Sequence, residues 1–107
     1  MTLSTHVLDT MQGKPAEGVP FHLSKDGTQV AAGKTKSDGR TDDLKGVQLE
    51  SGLYHMVFDT ATYFQGQHIS DYFYPKVDIY FQVKNSDDHY HVPLILSPYG
   101  FSTYRGS

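Results

Sequence analysis

Six histidines, two arginines and no cysteine bound the chemistry open to this 107-residue chain. Without cysteine there is no thiolate nucleophile, no disulfide and no sulfur-ligated metal site. Histidine is then the natural general base, since its unperturbed pKa of about 6.5 leaves much of it neutral near pH 7. His89 and His91 are two residues apart in "HYHVPLILS", and His6 lies in "LSTHVLD". Two of the nine basic residues, Arg40 and Arg105, are arginines. Each carries a planar fork that suits flat, carbonyl-rich or anionic ligands where lysine offers a point charge. The chain closes on "STYRGS", a polar stretch with no linker before it. A frayed terminus is the ordinary reading of such an ending, and Arg40 alone reads as a charge in a polar turn.

These side chains are held by short strands. "LSTHVLD" (3–9) is a strand candidate closed by the turn-rich "TMQGKPAEG". "VPFHLSKDGTQVAAGKT" reads as a hairpin around Asp26-Gly27, and "KSDGRTDDLKG" as a polar loop with Ser37-Asp38-Gly39 at its tip. "GLYHMVFD", "YPKVDIYFQVKN" and "YHVPLILS" follow as strands, with "SDD" as the turn joining the last two and "YGFSTYR" as the final strand. "TATYFQGQ" is the one plausible helix, capped by Asp59 or Thr60. Strands at short spacing with one brief helix, in a chain with fourteen aromatics, indicate an all-β sandwich. One domain spanning 1–107 is expected.

Alternation assigns faces. Tyr90, Val92, Leu94 and Leu96 share the core face, which turns His89, His91, Pro93 and Ile95 the other way. Leu3 and Val7 point inward while Ser4, His6 and Leu8 point out. Two histidines therefore stand on outward faces, each in company with an aliphatic residue. An oligomer interface enclosing a polar site accounts for such faces; ordinary exposure is the plainer account.

At this point the residues resemble a known family. "HVLDTMQGKPAEGVPF" and "YHVPLILSPYGFSTYRGS" are similar to the two signature regions of transthyretin-related proteins, and Tyr104-Arg105-Gly106-Ser107 resembles the ending of its enzymatic branch, the 5-hydroxyisourate hydrolases. True transthyretins share "VLD" and "LSPY" but carry lysine in place of His6 and lack "YRGS". The resemblance implies a prealbumin-like (transthyretin-like) sandwich of two four-stranded sheets with one short helix. It also implies a homotetramer, a dimer of dimers, with active sites in a central channel. The implied reaction hydrolyses 5-hydroxyisourate to 2-oxo-4-hydroxy-4-carboxy-5-ureidoimidazoline in urate degradation. The family's catalytic set falls on His6, Arg40, His91 and Ser107, with His6, Arg40 and Tyr104 binding substrate. Two histidines then share the activation of water, Arg40 grips the ring oxygens, and the Ser107 carboxylate is expected to pair with Arg105. No metal or other cofactor is implied; His89-x-His91 lacks a third ligand at diagnostic spacing. His22, His55 and His68 read as structural or surface residues. A transthyretin-like carrier that does no chemistry, and a non-catalytic interaction module, are the competing readings.

The net charge of -3 and the lack of a basic stripe argue against nucleic acid. No apolar run is long enough to span a bilayer, and "MTLSTHVLDT" lacks a charged start and an apolar stretch, so a cytoplasmic location is expected unless a leader has been trimmed.

Overall fold

The computed structural model describes residues 2–107. Two four-stranded sheets face one another across an apolar core. The first contains β1 (Thr2–Asp9), β2 (Lys14–Pro15), β7 (His89–Ser97) and β8 (Gly100–Thr103), in the order β2-β1-β7-β8. The second contains β3 (Pro20–Lys25), β4 (Thr28–Lys34), β5 (Gly52–Phe58) and β6 (Val77–Val83), in the order β4-β3-β5-β6. The helix α1 (Thr60–Gly66) follows β5. The expected all-β sandwich with one short helix is what forms.

Each element has a local cause. From Leu3 onward β1 alternates buried with half-buried positions, so one face meets the core and the other does not. The β3–β4 hairpin turns at Asp26 and Gly27, with φ of 51° and 83°, the left-handed pair that a tight two-residue hairpin needs. The Asp59 carboxylate caps α1, accepting from the Thr62 amide at 3.1 Å and the Thr62 hydroxyl at 2.7 Å. Val7, Leu23, Met56, Phe58, Leu94 and Leu96 are among the fully buried side chains that join the two sheets. Burial of each such side chain contributes about 1.5–3 kcal/mol.

Two departures from the sequence reading concern the first sheet. Its edge strand β2 lies inside the turn-rich segment: Lys14 and Pro15 pair with Asp9 and Leu8. A two-residue strand is too short for any alternation to announce it. The last strand ends at Thr103, two residues before Arg105, because regular pairing with β7 stops at Leu94.

The key pairing for function is β1 with β7. It is parallel, and it sets Thr2 beside His89, Ser4 beside His91 and His6 beside Pro93. The lower end of β1 is locked by a buried carboxylate. Asp9 accepts from the Tyr63 hydroxyl at 2.6 Å, and from the backbone and side-chain nitrogens of Gln12 at 3.0 Å each. Burial, followed by this hydrogen bond and the Asp9 charge, pushes the Tyr63 hydroxyl well above its ordinary pKa.

Candidate active site

His6 and His91 are half-buried on the face of the first sheet that points away from the core, as alternation required. His6 comes from β1 and His91 from the adjacent β7. A loop brings Arg40 to them. Thr35 anchors its start, with its hydroxyl donating to Ala16 O at 2.6 Å and accepting from Val19 N at 2.9 Å. The chain then folds into a tight turn in which Lys36 N donates to Arg40 O and Gly39 N to Lys36 O. The Asp38 carboxylate accepts from Arg40 N at 2.9 Å.

Gly39 docks this turn on β1. Its carbonyl accepts from Val7 N at 2.9 Å, extending the sheet where β2 runs out. Its φ is +77°, and a Cβ there would sit 2.5 Å from Val7 O and 3.0 Å from the His6 ring. Only glycine fits. The next residue, Arg40, is exposed, and its guanidinium makes no hydrogen bond or ion pair with any of the described residues.

The chain end docks on the other side. Gly106 N donates to His91 O at 2.8 Å, and Gly106 pairs with His91 in the same antiparallel register as β8. A Cβ on Gly106 would lie 2.3 Å from the His91 ring. Arg105 pins this segment: its guanidinium lies 4.5 Å over the Tyr90 ring and donates to His89 O at 3.1 Å. The expected pairing of Arg105 with the Ser107 carboxylate is therefore not formed, since a ring face and a backbone carbonyl hold the guanidinium instead. Ser107 is exposed one residue beyond the His91–Gly106 bridge. Tyr104 is exposed too, and lines with His91 and Arg105 a cleft of about 530 Å³ between β6 and the terminal segment.

The electrostatics of His91 report the convergence. Burial, then the charges of Arg40, His89 and His6, hold its pKa below the ordinary histidine value, against the opposing effect of a hydrogen bond to the Ser4 backbone. Ser4 Oγ lies 2.8 Å from His91 Nδ1. His89, exposed, contacts Ser4 Oγ through Nε2 at 3.5 Å and Thr2 Oγ1 through Nδ1. Among the described residues no group of three or more His, Asp or Glu side chains is placed to hold a metal ion.

His6, His91, Arg40 and the terminal segment thus meet at one place. Of the other histidines, His22 and His68 are exposed, while His55 bonds Asp78 at 2.8 Å and stacks on Tyr80 on the far sheet. Sequence reasoning missed the roles of Ser4, Gly39 and Gly106. Ser4 was visible on the His6 face, but the β1–β7 register that gives it His91 as neighbour was not.

The model of the family described as HIUase/Transthyretin matches residues 3–106. The chain belongs to this family. Among its relatives, a 5-hydroxyisourate hydrolase of Salmonella typhimurium is 44% identical over 110 residues, covering 98% of this chain and 80% of the relative. The solved structure of Klebsiella pneumoniae 5-hydroxyisourate hydrolase superposes with a TM-score of 0.90 at 36% identity, covering all of both chains. Sea bream transthyretin in complex with thyroxine superposes with a TM-score of 0.89 at 28% identity, over 99% of this chain and 95% of that one. Both branches of the family thus share this sandwich. No helix among the described residues is long and apolar enough to cross a membrane.

Proposed function

We propose that this protein hydrolyses 5-hydroxyisourate to 2-oxo-4-hydroxy-4-carboxy-5-ureidoimidazoline. The full-length similarity to 5-hydroxyisourate hydrolases supports the reaction. The observation that carries the assignment of the site is the convergence of His6, Arg40 and His91 beside the docked "YRGS" segment. Opening a lactam with water needs a base for the water, a cation for the carbonyl oxygen as it turns anionic, and a grip on the flat ring.

The residues divide as follows. His91 is neutral near pH 7 because burial and the neighbouring cation disfavour its charged form, so it is available as a base together with His6. Arg40, free of protein partners among the described residues, turns its planar fork to the ring oxygens and steadies the tetrahedral adduct. Water adds to the carbonyl carbon as one of its protons passes to the histidine base. The ring C–N bond then breaks, the leaving nitrogen takes the adduct's remaining hydroxyl proton, and a carboxylate is left. Tyr104 borders the bound ring, and the Ser107 hydroxyl supplies a further donor. No cofactor enters the scheme.

Half-buried Leu8 and Ile95 on the same face support a tetramer in which facing dimers close the site. A cytoplasmic location agrees with this reading. The test is the absorbance decay of freshly generated 5-hydroxyisourate with and without protein. Acceleration over spontaneous decay is expected; an unchanged rate with tight binding of small aromatics would leave the carrier reading, for which the likeness to the thyroxine complex of transthyretin speaks.

A further inference from the structure

Behind His91 runs a line of polar groups that the scheme above does not use. Parallel pairing puts Thr2 and Ser4 of β1 next to His89 and His91 of β7, all four on the outward face. Their side chains connect in order: His91 Nδ1 to Ser4 Oγ at 2.8 Å, Ser4 Oγ to His89 Nε2 at 3.5 Å, His89 Nδ1 to Thr2 Oγ1. The two imidazole rings lie 6.4 Å apart and only 11° from parallel, with the serine hydroxyl between them. His91 is half-buried and His89 is exposed, so the line leads from the site to solvent.

We propose that Ser4 and His89 are a proton relay for His91: Ser4 fixes its ring with the proton on Nδ1, leaving Nε2 as the acceptor, and His89 hands the proton to water. This rests on the hydrolase reading, and it resolves which atom acts there. The contacts can be satisfied in either of two directions, and the relay is the outward one. His91 Nδ1–H donates to Ser4 Oγ, the Ser4 hydroxyl donates to His89 Nε2, and His89 Nδ1–H donates to Thr2 Oγ1. The hydrogen bond at one ring nitrogen sets the state of the other.

The protons balance. As water adds to the lactam carbonyl, its proton goes to His91 Nε2. The Nδ1 proton of the resulting imidazolium passes to Ser4 Oγ while the Ser4 hydroxyl proton moves to His89 Nε2, and exposed His89 releases a proton to solvent. Opening a lactam to a carboxylate and an N–H leaves one proton over, and this line is its exit; exchange through water that returns His91 from Nε2–H to Nδ1–H resets it. The permanent charge facing His91 opposes a lasting imidazolium: Arg40 acts from its loop, and His89 on β7 and His6 on β1 act in the same sense whenever they are charged. The 3.5 Å step is the long one, so the line closes only when Ser4 and His89 draw together.

Two measurements test this. The first needs no substrate: nitrogen NMR of histidine-labelled protein reads the tautomer of His91. Wild type and Ser4→Thr should hold the proton on Nδ1, and Ser4→Ala should move it to Nε2. The second is kinetic. Ser4→Ala and His89→Gln should each lower kcat with little change in KM, by about 10–100-fold if they resemble outer hydrogen bonds that orient histidine ligands. Ser4→Thr should retain most activity, and added imidazole should partly restore His89→Gln. His89 is exposed, so His89→Gln keeps the test sharp should Ser4→Ala fail to fold. A wild-type His91 protonated on Nε2, or undiminished kcat in both variants, overturns the relay while leaving the hydrolase reading intact. An inert wild type with the Nδ1 tautomer would instead sink the hydrolase reading and retain the hydrogen-bonded arrangement.

Discussion

The Gly106 amide is bonded to the His91 carbonyl at 2.8 Å, and the Gly106 α-carbon abuts the His91 ring so closely that one added methyl would sit 2.3 Å from it. The imidazole is thus braced by a residue with no side chain. Gly106→Ala should swing the ring off its position while leaving the core untouched. A displacement of about 1 Å in a reacting group can cost about 100-fold, and a fall of that order in kcat is expected with a melting temperature close to wild type. Wild-type turnover in a folded Gly106→Ala protein would show that the ring's placement does not depend on the terminal segment.

Removing either imidazole tests the base directly. His6→Ala and His91→Ala should each reduce turnover of 5-hydroxyisourate by about 10²–10⁴, the usual worth of a general base. Both side chains lie off the core, so circular dichroism and melting should change little. A variant with near-full turnover takes its histidine out of the mechanism.

Arg40→Lys keeps the charge and loses the fork. Hydrogen bonds to a charged group are worth about 1.5–3 kcal/mol, so at least about a tenfold loss in kcat/KM is expected. Equal activity with lysine would mean that charge alone suffices.

The depressed pKa of His91 has a sign in the pH profile. A base must be neutral to work, so the acidic limb of kcat/KM should fall below the ordinary histidine value of about 6.5. Arg40→Gln removes a charge that depresses it and should move that limb upward. By linkage, neutral His91 favours the fold above pH of about 6.5, and that contribution is lost as the pH falls through its lower folded value. A limb at or above the ordinary value, unmoved in Arg40→Gln, would place the titrating group elsewhere.

Assembly is tested at Ile95, half-buried on the His91 face. Ile95→Glu would bury an unpaired charge between dimers, and tetramer and activity should disappear together in sizing and kinetic measurements. Fully active dimers would show that one dimer completes the site.

Much of this was legible from period and punctuation. The alternation of "HYHVPLILS" placed His91 outward and Tyr90, Val92, Leu94 and Leu96 inward, and all four of the latter are buried. Asp26-Gly27 and Asp59 marked their turn and cap. What stayed hidden was relational. Nothing in the order of residues says that β1 runs parallel to β7, and hence that Ser4 meets His91. The tight fits of Gly39 and Gly106 depend on which ring they press against, and the partner of Arg105 depended on where Tyr90 would lie.

The parallel pairing of β1 with β7 also shapes how the protein must come into being. Ser4 and His91 are 87 positions apart, and parallel neighbours can meet only through a long crossover, here β2, the whole second sheet and the helix. Contacts at such separation are slow to form, because the intervening chain must be ordered before they return any stability. In chain order β1 precedes the whole second sheet, so during synthesis its partner β7 is made only after that sheet. A chain made only as far as β6 holds His6 and Arg40 but neither His91 nor Gly106, so the site is whole only once the last strands have docked.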